Sequence, residues 1–313
     1  PPVEGMQDVL AQLGSDATVS KVTVARDLSN LEEAKSAVKK ADTVILMAGV
    51  VATEGIDRPS GDMFDDQNRM LDELLGLNAR TVVVLKDSSP VLMPWIDKAP
   101  TILEAWNQGT EDGHVVADLV FGLVNPSGKV PTTYPASEKD TLYHNNPVRY
   151  PGTDEGGGFP VIRYTEGLQV GYRWFQSQGI KPLFPFGFGL SYTTFELSDL
   201  AVSGTENDGT QPITVAFTVT NTGKVAGAEV GQVYLGIPVK GQPPKRLVGF
   251  KKVHLEPGES QRVSIVIDPA ATNHPLSVWD YCVHGFVVKP GEYTVYAGNS
   301  SDNTPLTATV TVR

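Results

Sequence analysis

A single glutamate stands in a loop where acid–base chemistry could take place. The segment Thr53-Glu54-Gly55-Ile56-Asp57-Arg58 comes soon after the apolar run Thr43–Ala48. Gly55 allows the backbone to turn sharply beside the carboxylate, and Pro59 prevents an early return to helix. A carboxyl group held in such a loop can give and take a proton during a reaction. From the pattern alone, a solvated surface carboxylate is the simpler interpretation of Glu54.

An α/β pattern in the first part of the chain must position this loop. The predicted strands are Lys21–Ala25, Thr43–Ala48, Thr81–Leu85 and Thr101–Ala105, and helical periodicity follows at Leu31–Ala41, Met70–Leu75 and Val115–Leu123. Alternating strands and helices predict an open, mostly parallel sheet. In such sheets the residues that face ligands lie in loops at the carboxyl ends of strands, which is where Glu54 stands.

Changes in amino-acid composition and hydrophobic periodicity along the chain predict three regions. Residues 1–134 form the α/β domain, and residues 135–189 are rich in proline and glycine and read as an extended linker. The aromatic side chains of this linker are expected to pack on other surfaces, and the face of Trp174 is an open candidate for contact with a sugar. Residues 190–313 show apolar side chains with a period of two, as at Ile213–Val219, which predicts an all-β, immunoglobulin-like sandwich.

Composition narrows the classes of function. The 313 residues carry a net charge of −11, which disfavours nucleic acid as a partner because its phosphates would be repelled. No apolar run approaches the ~20 residues of a membrane helix, so no membrane partner is expected. The five histidines lack metal-ligand spacing, and the one cysteine excludes an intrachain disulfide. We therefore expect neither a metal nor a cofactor.

Four motifs in chain order resemble glycoside hydrolase family 3. They are Ala52–Arg58 (ATEGIDR), Ser89–Trp95 (SPVLMPW) running on through Ile102–Trp106 to Asn125–Pro131, Tyr164–Phe175 with Pro182–Phe186 and Phe188–Thr193, and Leu276–Asp280 with Val287–Val295. Two segments depart from the usual pattern of the family, Lys86-Asp87-Ser88 and Gly109-Thr110-Glu111-Asp112-Gly113. Because the motifs extend over nearly the whole chain, the resemblance is specific.

The resemblance implies a retaining, exo-acting β-glucosidase that hydrolyses terminal β-D-glucosyl residues of glucosides or cello-oligosaccharides. It implies that Glu54 is the general acid/base, and that Asp57 and Arg58 either support the loop or contact sugar hydroxyls; the first role is favoured. It also implies that the final region is a fibronectin type III-like domain. The nucleophile of such enzymes is an aspartate on an N-terminal (β/α)8 barrel, which this sequence does not contain.

The resemblance therefore predicts that the chain works with a partner. We expect the first domain to be N-terminally truncated and the barrel to be a separate chain derived from the same protein. A non-catalytic module that binds glycans or proteins is the alternative function. β-Xylosidase and N-acetyl-β-glucosaminidase activities also stay open, because the barrel would determine the choice of sugar.

Overall fold

The computed structural model describes residues 1–50, 53–55 and 57–313. Ala52 and Ile56 of the predicted Glu54 motif therefore lie outside the described residues. The chain forms two compact units, the first made of Pro1–Val124 and Tyr134–Glu138 and the second of Asn125–Thr133 and Lys139–Arg313. The boundaries predicted at residues 134 and 189 stay predictions. No described helix is long and apolar enough to cross a membrane.

A three-stranded parallel sheet organises the first unit. Its strands are β1 (Val44–Val50), β2 (Thr81–Asp87) and β3 (Ile102–Glu104), in the order β1-β2-β3. Val44 pairs with Thr81, and Val83 pairs with Ile102, so the three carboxyl ends lie at one edge. The middle strand is the most deeply buried, as expected for a strand covered on both faces. The predicted mostly parallel α/β sheet is confirmed.

The described part of the first unit contains the α-helices α1 (Pro2–Gln12), α2 (Leu31–Lys40), α3 (Gln67–Leu74) and α4 (Asp112–Val120). Short 3-10 turns occur at Ile96–Lys98 and Gly109–Glu111. Met6 and Val9 of α1 share an apolar cluster with Val116 of α4 and Val84 of β2. This cluster covers one face of the sheet and keeps the middle strand in place.

The prediction of a strand at Lys21–Ala25 was wrong. These residues have no regular secondary structure, although their backbone is held near Asn30, whose side-chain carbonyl accepts the N–H of Ala25 at 2.8 Å and whose amide donates to the Thr23 carbonyl at 3.0 Å. A β-branched sequence becomes a strand only where a neighbouring strand pairs with it, and the edge of the described sheet is formed by β1.

The second unit is mainly a β-sandwich. Its strands are β6 (Phe195–Ser203), β7 (Glu206–Asn207), β8 (Ile213–Asn221), β9 (Gly227–Gly236), β10 (Arg246–Leu255), β11 (Ser260–Ile267), β14 (Gly291–Gly298) and β15 (Leu306–Val312). One sheet has the order β10-β9-β14-β15-β7 and the other has the order β11-β8-β6. Every second residue of β8 is buried, and these side chains join one large apolar core between the two sheets. The predicted all-β sandwich is confirmed.

The remaining elements of the second unit are short. They are the helix α5 (Tyr172–Gln178) and two hairpins, β4 (Thr153–Asp154) with β5 (Pro160–Val161) and β12 (Ser277–Asp280) with β13 (Gly285–Val288). A 3-10 turn at Glu138–Asp140 begins in the first unit and ends in the second. Tyr172 stacks on Phe186 with 5.0 Å between ring centroids. The Trp174 indole donates to the Asp140 carbonyl at 2.9 Å, and the Arg149 guanidinium lies 5.2 Å from the centre of its ring. Some linker aromatics thus pack as expected, whereas Tyr164 is 79% exposed.

Candidate active site

Glu54 follows β1 at the edge of the sheet where the three strands end. Its side chain is exposed, and so is that of Asp57. Gly55, the next residue after Glu54, has a φ of +79°, a conformation that residues with a Cβ adopt only at a cost. The glycine predicted to turn the backbone beside the carboxylate therefore does so. The exposed carboxyl group is accessible to a molecule that approaches this edge.

Arg58 ties the same loop to the segment that follows β2. One terminal nitrogen donates to the Ser89 hydroxyl at 2.8 Å and to the Pro90 carbonyl at 3.1 Å. The other donates to the carbonyl of Asp62 at 3.1 Å. Three bonds to groups of this chain would leave little of the guanidinium for a sugar. Asp57 makes no hydrogen bond or ion pair with a described residue, so no comparable contact holds its side chain.

A second carboxyl cluster lies at the same edge and was not singled out from sequence. Asp87 ends β2 and is fully buried, and Glu104 ends β3. The backbone N–H of Trp106 donates to one oxygen of Glu104 at 3.0 Å, and the Tyr134 hydroxyl donates to the other at 3.0 Å. The signal available in the sequence was a carboxylate at the end of each of two apolar strands, TVVVLKD and ILE.

Both members of this pair hold a proton more strongly than usual. Burial, followed by the charge of Asp87, raises the pKa of Glu104 to about 8, against the opposing hydrogen bonds from Trp106 and Tyr134. Burial also raises the pKa of Asp87 to about 6, opposed by the Glu104 carboxyl, by the charge of Arg58 and by the backbone of Val50. Low polarity disfavours ionisation, and two adjacent carboxylates disfavour each other's charge. The pair therefore titrates as a unit.

No group of three or more histidine, cysteine, aspartate or glutamate side chains suited to a metal ion occurs among the described residues. His114 instead forms hydrogen bonds with Glu111 at 2.9 Å and with Asp8 at 3.0 Å, and these raise its pKa, the bond to Asp8 contributing most. The described edge of the sheet offers carboxyl groups of two kinds: Glu54 and Asp57 are exposed, whereas Asp87 is buried and Glu104 is half-buried.

The fold is that of a known class of protein. Residues 1–192 match the glycosyl hydrolase family 3 C-terminal domain, and residues 229–301 match the fibronectin type III-like domain. The chain therefore belongs to glycosyl hydrolase family 3.

Particular relatives and solved structures are similar along most of the chain. Thermostable beta-glucosidase B of Acetivibrio thermocellus is 39% identical over 289 residues, 90% of this chain and 36% of that protein. DesR, a beta-glucosidase from Streptomyces venezuelae solved with D-glucose, has a TM-score of 0.85 and 37% identity, covering 93% of this chain and 36% of that one. Beta-glucosidase 3B from Thermotoga neapolitana with glucose has a TM-score of 0.77 and 33% identity, covering 98% and 43%.

Length separates this chain from its relatives. It spans about a third of the curated relatives that it matches, with 36% for the Acetivibrio protein and 31% for probable beta-glucosidase I of Emericella nidulans. The activity of a whole enzyme therefore does not pass to this chain by similarity alone.

Proposed function

We propose that this chain is part of a retaining, exo-acting β-glucosidase and that Glu54 is its general acid/base. The observation that carries the proposal is an exposed carboxyl group on a glycine turn at the carboxyl edge of a parallel sheet. Arg58 holds this loop through hydrogen bonds to Ser89 and Pro90, so the carboxyl group is accessible while its loop is kept in position. The proposed substrates are β-glucosides or cello-oligosaccharides, and β-glucosidases recur among the chain's relatives.

The proposed reaction needs a second carboxyl group that this chain does not supply. In retaining glycosidases two carboxyl groups stand about 5–5.5 Å apart, one attacking C1 while the other protonates the leaving oxygen. Asp87 and Glu104 are unsuited to the attack because their carboxyl groups are enclosed by Tyr134, Trp106 and each other. We infer that the nucleophile is an aspartate on a (β/α)8 barrel, on a separate chain of the same protein.

Glu54 then acts twice in the cycle. It first gives its proton to the glycosidic oxygen as the bond from that oxygen to C1 breaks and the nucleophile bonds to C1. It next takes a proton from water as the water oxygen attacks C1 and displaces the nucleophile, which restores both carboxyl groups. Arg58 supports the loop during both steps, and Asp57 is free to contact a sugar hydroxyl or to remain in solvent.

Replacement of Glu54 tests the proposal. In the whole protein, Glu54→Ala should reduce turnover of alkyl β-glucosides, whose leaving groups need a proton, far more than turnover of 4-nitrophenyl β-glucoside. General acid catalysis contributes about 10²–10⁴-fold, which sets the expected loss on the alkyl substrates. Azide should partly restore turnover of 4-nitrophenyl β-glucoside because it replaces the activated water, and the product should be β-glucosyl azide.

The exposed Glu33 of α2 supplies a matched control, since Glu33→Ala removes a surface carboxylate far along the chain from the loop. Its kinetics should equal those of the parent on both substrates. Equal losses on both substrates for Glu54→Ala, without azide rescue, would assign the acid/base role to another residue. Binding of glucosides without any turnover by the parent protein would favour the non-catalytic module.

A further inference from the structure

We propose that Asp87 and Glu104 share one proton and, in that state, hold Arg58 and thereby position the loop that carries Glu54. The inference rests on the proposed role of Glu54, because it concerns how that residue is presented. Asp87 and Glu104 are positioning residues here, since neither is expected to touch the substrate.

The hydrogen-bonding pattern around Asp87 supports a shared proton. Neither oxygen of Asp87 accepts a well-aligned hydrogen bond from a described residue, although the side chain is fully buried. The backbone of Val50 and the Glu104 carboxyl both lie within hydrogen-bonding reach of Asp87, and two ionised carboxylates would have no proton to place between them. Buried polar atoms are almost always paired, so a proton on Glu104 that is donated to Asp87 resolves the arrangement.

The donors around Glu104 are compatible with that assignment. The N–H of Trp106 and the O–H of Tyr134 each use one lone pair of Glu104, one on each oxygen. A protonated carboxyl group keeps acceptor capacity on both oxygens, so it can receive both bonds and still donate to Asp87. On Asp87, the Glu104 carboxyl, the charge of Arg58 and the backbone of Val50 all favour the ionised form, so Asp87 is the member that carries the negative charge.

That charge faces Arg58. The guanidinium of Arg58 acts on Asp87 and favours its ionised form. Its two terminal nitrogens bind Ser89, Pro90 and Asp62, while its remaining nitrogen is buried and finds no partner in the described part of the chain. Arg58 is half-buried, and a partly desolvated cation is costly without a counter-charge, so the ionised Asp87 stabilises Arg58 in this place. Because Arg58 stands four residues after Glu54, its position constrains the loop.

The proposed state, with one proton on the pair, is populated mainly between about pH 6 and pH 8. Near pH 6 and below, Asp87 takes up a proton and Arg58 loses its counter-charge. Near pH 8 and above, Glu104 loses its proton to solvent and two adjacent carboxylates repel each other. The described ionisable groups that face the pair are Arg58 from the loop and Tyr134, whose own pKa is raised by burial and by the two carboxyls. Lys86, adjacent to Asp87, is paired with Asp112.

Amide hydrogen exchange across residues 53–62 of the whole protein tests this positioning without any assay of catalysis. Protection corrected for intrinsic exchange should be greatest between pH 6 and pH 8 and fall on both sides. Asp87→Asn removes the charge that holds Arg58, and protection should fall about tenfold, the factor that one pKa unit of interaction represents. The rise between low and neutral pH should then disappear.

Glu104→Gln provides the matched variant. Its amide can donate to Asp87 as the protonated acid does, but it cannot titrate. Protection should persist above pH 8 in this variant, while the loss near pH 6 remains. Ser89→Ala removes one bond to Arg58 without changing the pair, so it should lower protection equally at every pH. Should Asp87→Asn prove unstable, the Glu104→Gln profile decides the matter alone.

Parent-like protection and pH dependence in Asp87→Asn, or an unchanged alkaline loss in Glu104→Gln, would overturn the proposal. The pH profile of kcat/KM for 4-nitrophenyl β-glucoside supplies the functional arm, and its alkaline limb should move upward by about one pH unit in Glu104→Gln. If the exchange results hold and Glu54→Ala leaves turnover of the alkyl β-glucosides unchanged, the proposed function fails while the positioning stands.

Discussion

At the scale of single residues, the edge of the sheet separates two kinds of carboxyl group. Glu54 is exposed and available, whereas Asp87 is buried and its partner Glu104 is bonded to Tyr134 and Trp106. Exposure permits chemistry with an incoming molecule, and burial changes when a carboxyl group gives up its proton. The two kinds thus suit different tasks, proton transfer for one and support of the loop for the other.

Tyr134→Phe is predicted to destabilise the protein by about 0.5–1.5 kcal/mol, because a half-buried oxygen of Glu104 loses its hydrogen-bond donor. The pKa of Glu104 should rise further, since the hydroxyl of Tyr134 opposes its protonation. Urea denaturation at neutral pH measures the loss of stability. Tyr281→Phe is the control because that ring is 81% exposed, and an equal cost for both variants would refute the prediction.

At the scale of elements, the first unit depends on a close contact between α1 and α4. A Cβ added at Gly5 would collide with the backbone carbonyl of Gly113, and one added at Gly113 would collide with that of Pro1. Backbone atoms at both positions leave no flexible side chain that could move aside. The contact brings α1 against the apolar cluster that covers β2.

Gly113→Ala should therefore destabilise the protein by about 1–3 kcal/mol, the usual range for overpacking. Because the clash is with backbone, the helices must shift apart and loosen the cluster around Val116. Chemical denaturation gives the magnitude. Gly128→Ala should be close to neutral, since nothing lies within 4 Å of a Cβ there. A neutral Gly113→Ala would mean that α1 can move at little cost.

At the scale of the whole molecule, the carboxyl pair links stability to pH. The folded state raises the pKa values of Asp87 and Glu104 above their ordinary values of 3.8 and 4.5 to about 6 and about 8. At pH values between the ordinary and the raised pKa of each group, the folded chain binds more protons than the unfolded chain. Each extra proton lowers the free energy of unfolding by about 1.4 kcal/mol per pH unit as the pH rises. The stabilisation present at low pH is thus lost toward pH 8.

Urea denaturation across this range should show a shallower decline for Glu104→Gln than for the parent, because glutamine does not titrate. The comparison between the two proteins cancels the contributions of the other carboxylates. The surface variant Glu33→Gln should follow the parent. A parent protein whose decline equals that of Glu104→Gln would show that the pair is not protonated as described.

Local patterns predicted much of this architecture. A period of two in residues such as Ile213–Val219 was enough for the sandwich, and the apolar runs at Thr43–Ala48 and Thr81–Leu85 were enough for the parallel sheet. The glycine after Glu54 indicated the turn that is observed. These features depend on neighbours within a few positions of the chain, so sequence carries them directly.

The order of elements, the family motifs and the loop with Glu54 could be read from the chain alone. The folded structure was needed to see that Lys21–Ala25 meets no strand among the described residues, and that Asp87, Glu104 and Tyr134 meet at one edge. These three residues are spread over the chain from β2 to the segment after α4. The proximity of these residues, and the proton that we propose Asp87 and Glu104 share, arise only when the distant segments pack together.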